Sequence, residues 1–298
     1  MSLVRILKNW VINFLFNHIY SKSKCSIYYT TYDNELCDPS ILIYKPFGDC
    51  GIVSNTMSKF GIGRIKFDRP LSYIGSYTFY EKSNLKTICI PKSITKIDPS
   101  AFNNTLTGFH GKFSSKDHRS LINGNELIAV ALEELDVYEI PSYIEKVHSN
   151  FMNLKRNNLI IVINKYVSDH CHAFAHSTFQ LYSNIDHIPE YAFKYNEFSK
   201  IVLLKNTKSL GDRSFMRSEG VFEYDTGKRY NVGKDCPIIC ESSTPPYIGS
   251  YVFCSIAPGT DDDWEMDNFY YENIYVPEGS SQIYKRIWCD YSDYIKEM

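Results

Sequence analysis

Twenty-three residues separate Ile65 from Ile88, Phe67 from Ile90, Leu71 from Ile94, Ile74 from Ile97 and Phe79 from Phe102. Five apolar positions in step make a repeat, and a unit this short cannot bury its own apolar side. Copies must therefore stack and share one core. Each copy reads as a short strand (Ile88, Ile90) closed by Pro91, then a tight return carrying Ile94, Ile97 and Phe102. The fold expected is a repeat solenoid with irregular repeats of about 23 residues. A parallel β-sheet forms one face, loops and short helical turns form the other, and both ends are capped.

The frame recurs downstream. It returns at Tyr138, Ile140, Ile144 and Val147, continues at Ile161, Ile163 and Val167, and takes a shorter form at Phe179, Leu181, Ile185, Ile188 and Phe193. Further copies stand at Ile201, Leu203, Leu210 and Phe215, and at Ile238, Cys240, Ile248 and Phe253. Ile274 and Val276 close the series. Across 105–135 the frame is lost. There, 108–113 and 121–128 read as strands, the second pair joined by an Asn123-Gly124 turn, a hairpin signal, in an inserted or degenerate repeat. Upstream, Ile27-Tyr28-Tyr29 reads as a strand. Residues 282–295 read as an amphipathic capping helix with a serine N-cap, inside a C-terminal cap over 277–298. Residues 25–298 are thus expected to form one domain.

Residues 1–24 allow two readings. Val4, Leu7, Val11 and Phe14 fall at helical spacing with Arg5 and Lys8 interleaved, as in an amphipathic helix capping the solenoid's open end. The alternative is a degenerate secretory signal, with a basic start and an apolar run from Trp10 to Phe16. That run is broken by Asn13 and lacks a small-residue cleavage site. Periodicity favours the cap.

Charge and composition exclude some functions. A formal charge of −2 with scattered basic residues offers no clustered positive surface for nucleic acid. No run of eighteen apolar residues suggests a transmembrane helix. The nine cysteines lack zinc-finger or CxxC spacing, Cys236 and Cys240 being four apart, and read as mostly reduced and structural. The chain is rich in Tyr, with 24. Tyr offers contact area at low entropy cost, although β-rich proteins carry many tyrosines in any case.

The frame I-x-I-P-x-x-I-x-x-I-x-x-x-x-F over 88–102 resembles the BspA-like leucine-rich repeat family. Ile52-Val53-Ser54-Asn55-Thr56 is similar to that family's segment before the first repeat. Phe109-x-Gly111-Lys112-Phe113-x-Ser115-x-Asp117 looks like its inter-repeat hairpin. Thr244-Pro245-Pro246-x-Ile248-Gly249, Ile274-Tyr275-Val276-Pro277-x-Gly279-Ser280 and Trp288-x-x-Tyr291 are similar to its closing repeat and cap. The resemblance covers 25–298. It implies a curved right-handed solenoid that acts in adhesion or recognition at a bacterial cell surface rather than in catalysis. His170 replaces a frame isoleucine, Met152 replaces a phenylalanine, and only Asn206 keeps an asparagine-ladder position. Without a convincing signal, a cytoplasmic location and an intracellular scaffold stand as alternatives to the surface.

Chemistry has few footholds. Asp169-His170-Cys171-His172-x-x-x-His176, with His187 further on, places His172 and His176 four apart, on one face of a helix and able to ligate zinc. No glutamate is placed as a base, and His170 sits where the frame wants a core residue. Asp261-x-Asp263-x-Glu265, with Glu272 at position twelve, resembles a calcium loop. Met266 stands where such loops need glycine, so a solvated acidic loop is the plainer reading. No nucleophile elbow, Walker loop or dinucleotide loop is present, and Gly61-Ile62-Gly63 lacks a third glycine. The reading is therefore of a non-enzyme with no cofactor, and the alternative is a metal-binding protein or metal-dependent site at His170–His176.

The better candidate is a surface. Strand residues between two core positions point to the exposed sheet face. They are Lys66, Cys89, Glu139, Val162, Val202, Ile239 and Tyr275, flanked by Ile160 and Leu204. The first half of this row is mostly polar and the second mostly apolar, as befits a face that binds a protein or glycan. The competing expectation is that the inserted hairpin or a terminal segment covers it.

Overall fold

The computed structural model describes residues 3–40, 45–80, 82–102, 106–147, 155–165, 178–194, 196–218, 221–223, 228–230, 236–256 and 271–298. The described residues divide into two compact units, one running up to Glu134 and one from Leu135 onward. Each is built from stacked repeats.

In the first unit, helix α1 (Leu3–His18) precedes β1 (Ser26–Thr31), β2 (Ile52–Met57), β3 (Gly63–Phe67), β4 (Tyr73–Ile74) and β5 (Leu85–Ile90). Then come β6 (Lys96–Ile97), β7 (Gly108–Gly111), β8 (Ser120–Asn123) and β9 (Glu126–Val130). The main sheet has the order β2-β3-β1-β5-β7. Two copies of the 23-residue repeat supply β3–β4 and β5–β6. Their returns meet directly, with Ile74 opposite Ile97 in parallel β4 and β6, and Phe79 bridged to Phe102. Those two rings stack at 5.6 Å.

Their strands do not meet. β1 is wedged between them and runs antiparallel to both, with Ile27 opposite Ile65 and Tyr29 opposite Ile88. The expectation that Ile65 and Ile88 lie on neighbouring parallel rungs is corrected accordingly. The reason is periodicity: Ile27 and Tyr29 alternate inward as the repeat residues do, so β1 fills a rung of the same core. Gly63 makes room for it, since a Cβ there would lie 2.2 Å from the Tyr29 ring. The Tyr29 hydroxyl donates to Asn55 Oδ1 at 2.8 Å and accepts from the Cys37 amide at 3.2 Å, so its polar end is satisfied inside the core.

Where the frame is lost, 108–111 still forms a degenerate repeat rung, since β7 lies parallel to β5 with Phe109 beside Ile88. The spacing there is 21, which hid it from a 23-residue frame. Past it, β8 and β9 pair as an antiparallel hairpin across Gly124, whose left-handed backbone (φ 64) makes the turn.

The second unit contains β10 (Val137–Ile140), β11 (Lys146–Val147), β12 (Lys155–Ile163), β13 (Thr178–Ser183), β14 (His187–Ile188), β15 (Glu197–Leu203) and β16 (Ser209–Leu210). They are followed by β17 (Arg217–Ser218), β18 (Val221–Glu223), β19 (Lys228–Tyr230), β20 (Ile238–Cys240), β21 (Tyr247–Ile248), β22 (Ser255–Ile256) and β23 (Ile274–Val276). Helix α2 (Ser281–Ile287) and β24 (Ile295–Glu297) end the chain. Seven strands form one sheet, β10-β12-β13-β15-β20-β23-β24, every adjacent pair parallel.

One register runs through all seven strands: Tyr138, Ile161, Leu181, Ile201, Ile238, Ile274 and Ile295 stand side by side, and each is buried. This is the repeat solenoid that the spacing calls for. Opposite the sheet, β14, β16 and β21 stack in parallel through Ile188, Leu210 and Ile248. Phe193, Phe215 and Phe253 form a stacked column, with centroids 5.2 and 5.9 Å apart. In each copy the residue two before the phenylalanine (Tyr191, Arg213, Tyr251) takes a left-handed backbone, φ 54 to 56. The turn geometry thus repeats with the core.

The C-terminal end is shorter in helix than 282–295 implies. α2 stops at Ile287, a 3-10 segment follows over Cys289–Tyr294, and Ile295 joins the sheet as the last rung. Ser280 occupies the N-cap position without capping; its hydroxyl donates instead to the Pro277 carbonyl. Trp288 and Tyr291 close the phenylalanine column against Phe253, and the Trp288 indole donates to the Pro246 carbonyl at 2.9 Å.

The outer sheet face as candidate functional site

The outward row expected from the sequence separates into two parts. In the first unit it is interrupted and covered. Lys66 is exposed on β3, but β1 stands between it and Cys89. Cys89 is 1% exposed, because α1 lies on this face and the Cys89 thiol donates to the Phe16 carbonyl at 3.3 Å. Burial pushes that thiol up to about 12, so it is an inert small apolar residue and not part of a free surface. Phe16 also meets His110 edge-on at 5.1 Å. The helix therefore sits across the sheet's outer side, and β2 occupies the sheet edge.

Around this joint lies a polar pocket of about 480 Å³, walled by Asn13 of α1, Thr30 and Thr31 of β1, Thr87 of β5, His110 and His118. Its groups are largely occupied with one another. Thr30 and Thr87 share a hydrogen bond of 2.6 Å, the two imidazoles meet at a tilt with centroids 4.4 Å apart, and His118 accepts from the Asn17 amide at Nε2 while its Nδ1 pairs with the Ser114 hydroxyl. Arg119 donates to the Thr107 and Glu133 carbonyls at 2.8 and 3.0 Å. Burial, with the His118 charge second, holds His110 down at about 3, so it stays neutral at physiological pH. These contacts make a structural seat for α1. Sequence reasoning missed it because the paired residues stand 93 and 101 positions apart.

In the second unit the row is continuous. Glu139, Val162, Tyr182, Val202, Ile239, Tyr275 and Lys296 stand beside one another on successive strands. Glu139 and Lys296 are exposed at the two ends; Val162, Tyr182, Ile239 and Tyr275 are half-buried between them. Val202 is 2% exposed and drops out as a contact. Ile160 and Leu204 are half-buried in the flanking rows, and Val137 beside Ile160 is half exposed. Tyr182 and Lys296, which the sequence row omitted, belong to it. The Lys200 ammonium lies 5.5 Å over the Tyr182 ring and holds that ring in place.

A polar ladder borders this face. The Asn164 amide donates to Glu139, the Asn184 amide to Asn164 Oδ1 at 2.8 Å, and the Asn206 amide to both the Asn184 carbonyl and Asp186, each at 2.8 Å. Asn206 was thus one rung of several. The others escaped notice because their spacing varies between 20 and 22 residues. The ladder satisfies polar groups where the strands end, leaving the row above it free of that task.

Several sequence candidates cannot be placed. Asp169, His170, Cys171, His172 and His176 lie outside the described residues, as do Asp261, Asp263 and Glu265. His187 is exposed on β14, where Nδ1 pairs with the Ser209 hydroxyl at 2.8 Å. Glu272 accepts from the Tyr275 hydroxyl at 2.9 Å. The eight described cysteines are all free thiols.

Comparison with known proteins agrees with this architecture. The family pattern described as BspA type Leucine rich repeat region matches residues 51–116 and 130–228, in six copies, together more than half of the chain. No protein with a curated description matches the sequence.

Proposed function

The chain belongs to the BspA-type leucine-rich repeat family, and from that premise we propose that it is a non-catalytic recognition protein whose second unit binds a protein partner. At the coarse level this family acts in protein–protein interaction or adhesion and is generally non-catalytic. The contact surface is the outer face of the seven-stranded sheet.

The observation that carries the reading is the row Val162, Tyr182, Ile239 and Tyr275, apolar and aromatic in the middle and charged at both ends by Glu139 and Lys296. Aromatic residues at the centre with polar groups at the rim is the anatomy of a protein-binding patch. Seven strands give six steps of about 4.8 Å, so the row spans roughly 29 Å, the scale of an ordinary protein interface. Affinity comes from many weak contacts on a preformed surface, with no covalent step.

The test is site-specific photo-crosslinking in cells that make the protein. A photoreactive phenylalanine analogue at position 182 should capture a discrete partner, and Val162→Asp with Ile239→Asp should abolish the capture. The same analogue at position 247, where Tyr247 is 73% exposed on the opposite sheet, should capture nothing. Equal capture from both positions, or none from 182, sinks the proposal.

A further inference from the structure

Among the described side chains of α1, Trp10, Val11 and Phe14 face solvent. Trp10 is 65% exposed, Val11 44% and Phe14 46%. The helix is fastened by its other side, where Phe16 is fully buried, its carbonyl accepts from Cys89, and the Asn17 amide meets His118 at 3.3 Å. On the open side Trp10 stacks on Phe14 at 5.8 Å and Phe14 meets His18 at 5.0 Å, a continuous aromatic strip facing solvent.

Charge indicates what this strip meets. Residues 1–24 contain Arg5, Lys8, Lys22 and Lys24 and no Asp or Glu. That is a formal +4 in a chain of net −2, so the remainder carries −6. We propose that α1 is a docking surface for an anionic lipid bilayer. Amphipathic helices with Trp and Phe on one side and basic residues alongside lie in the plane of the interface, the aromatic rings at headgroup level. Lysine and arginine then draw the helix to anionic headgroups. At 16 residues α1 is about 24 Å long, too short to span the hydrocarbon core. No described helix is long and apolar enough to cross a membrane. A second copy of the chain fits less well, since two N-terminal segments that each carry Arg5, Lys8, Lys22 and Lys24 repel.

This surface belongs to the first unit, and its test uses the purified full chain. Co-sedimentation is measured with phosphatidylcholine vesicles alone and with vesicles in which phosphatidylserine makes up about a third of the lipid. The protein should bind the second kind, more weakly as salt rises. Trp10→Ala with Phe14→Ala should weaken binding at least about tenfold, as lost apolar contact at the interface requires. Lys22→Glu with Lys24→Glu, both exposed, should weaken it through charge alone. Trp10→Phe should keep binding but lose the blue shift of indole emission. Protection of Cys89 from alkylation confirms that each variant still seats its helix. Failure of the natural chain to bind phosphatidylserine vesicles overturns the proposal. So does equal binding to phosphatidylcholine alone, or undiminished binding by the Trp10/Phe14 variant. A concentration-dependent dimer abolished by that variant, without vesicle binding, assigns the strip to a second copy instead.

Discussion

Gly63 shows how much can rest on a missing side chain. Its strand lies against Tyr29, and a methyl group there meets the ring at 2.2 Å, well inside contact distance. Gly63→Ala should lower stability by about 3 kcal/mol, the upper part of the range for overpacking, read as a fall in the urea midpoint. His110 makes a different residue-scale prediction. Its folded pKa is held at about 3, first by burial and then by His118, while an unfolded histidine titrates near 6.5. Below about 6.5 the unfolded chain takes up a proton that the folded chain refuses, so His110 favours unfolding progressively as pH falls towards 3. Stability should therefore drop more steeply between pH 6.5 and 4.5 in the natural protein than in His110→Phe. Parallel slopes in the two would refute the assignment. Neither Gly63 nor His110 stands out in the sequence, because each matters only through a partner distant along the chain.

At the scale of elements, the phenylalanine column and the strand ladder share the load in the second unit. Phe215 stacks between Phe193 and Phe253, so Phe215→Ala opens a cavity in the middle of the column. The expected cost is about 3–5 kcal/mol. Ile295 is the corresponding test at the end of the sheet. Ile295→Ala should cost less than Phe215→Ala, since an end rung has one neighbour to pack against instead of two. A larger loss at Ile295 would mean that the cap, and not the column, limits stability. The inward series Ile161, Leu181, Ile201, Ile238 and Ile274 was legible in advance, because a strand advertises its buried side by alternation. The wedge of β1 was not. Alternation is the same whichever way a strand runs, so Ile27 and Tyr29 mark a buried strand without giving its direction or its neighbours. The outer row was legible in Val162, Ile239 and Tyr275. It failed at Cys89 and Val202, where burial comes from what packs on top.

For the whole molecule, the thiols provide a probe of both units in one experiment. Cys37 and Cys89 are buried in the first unit, Cys236 and Cys240 in the second, and burial pushes each of the four up to about 12. Cys289 is exposed. Under native conditions iodoacetamide should modify Cys289 and spare those four, as peptide mass mapping would show, until denaturant unfolds the unit that holds each. Early labelling of Cys89 alone would mean that α1 lifts from the sheet before the unit opens. The sequence by itself determined that short rungs would stack and which residues each rung turns inward, since burial periodicity is a local property of the chain. Only the tertiary structure decided that β1 enters between β3 and β5, that α1 covers Cys89, and that Trp10 and Phe14 face outward. Those outcomes depend on which surfaces meet, and a residue's neighbours in the chain carry no record of its neighbours in space.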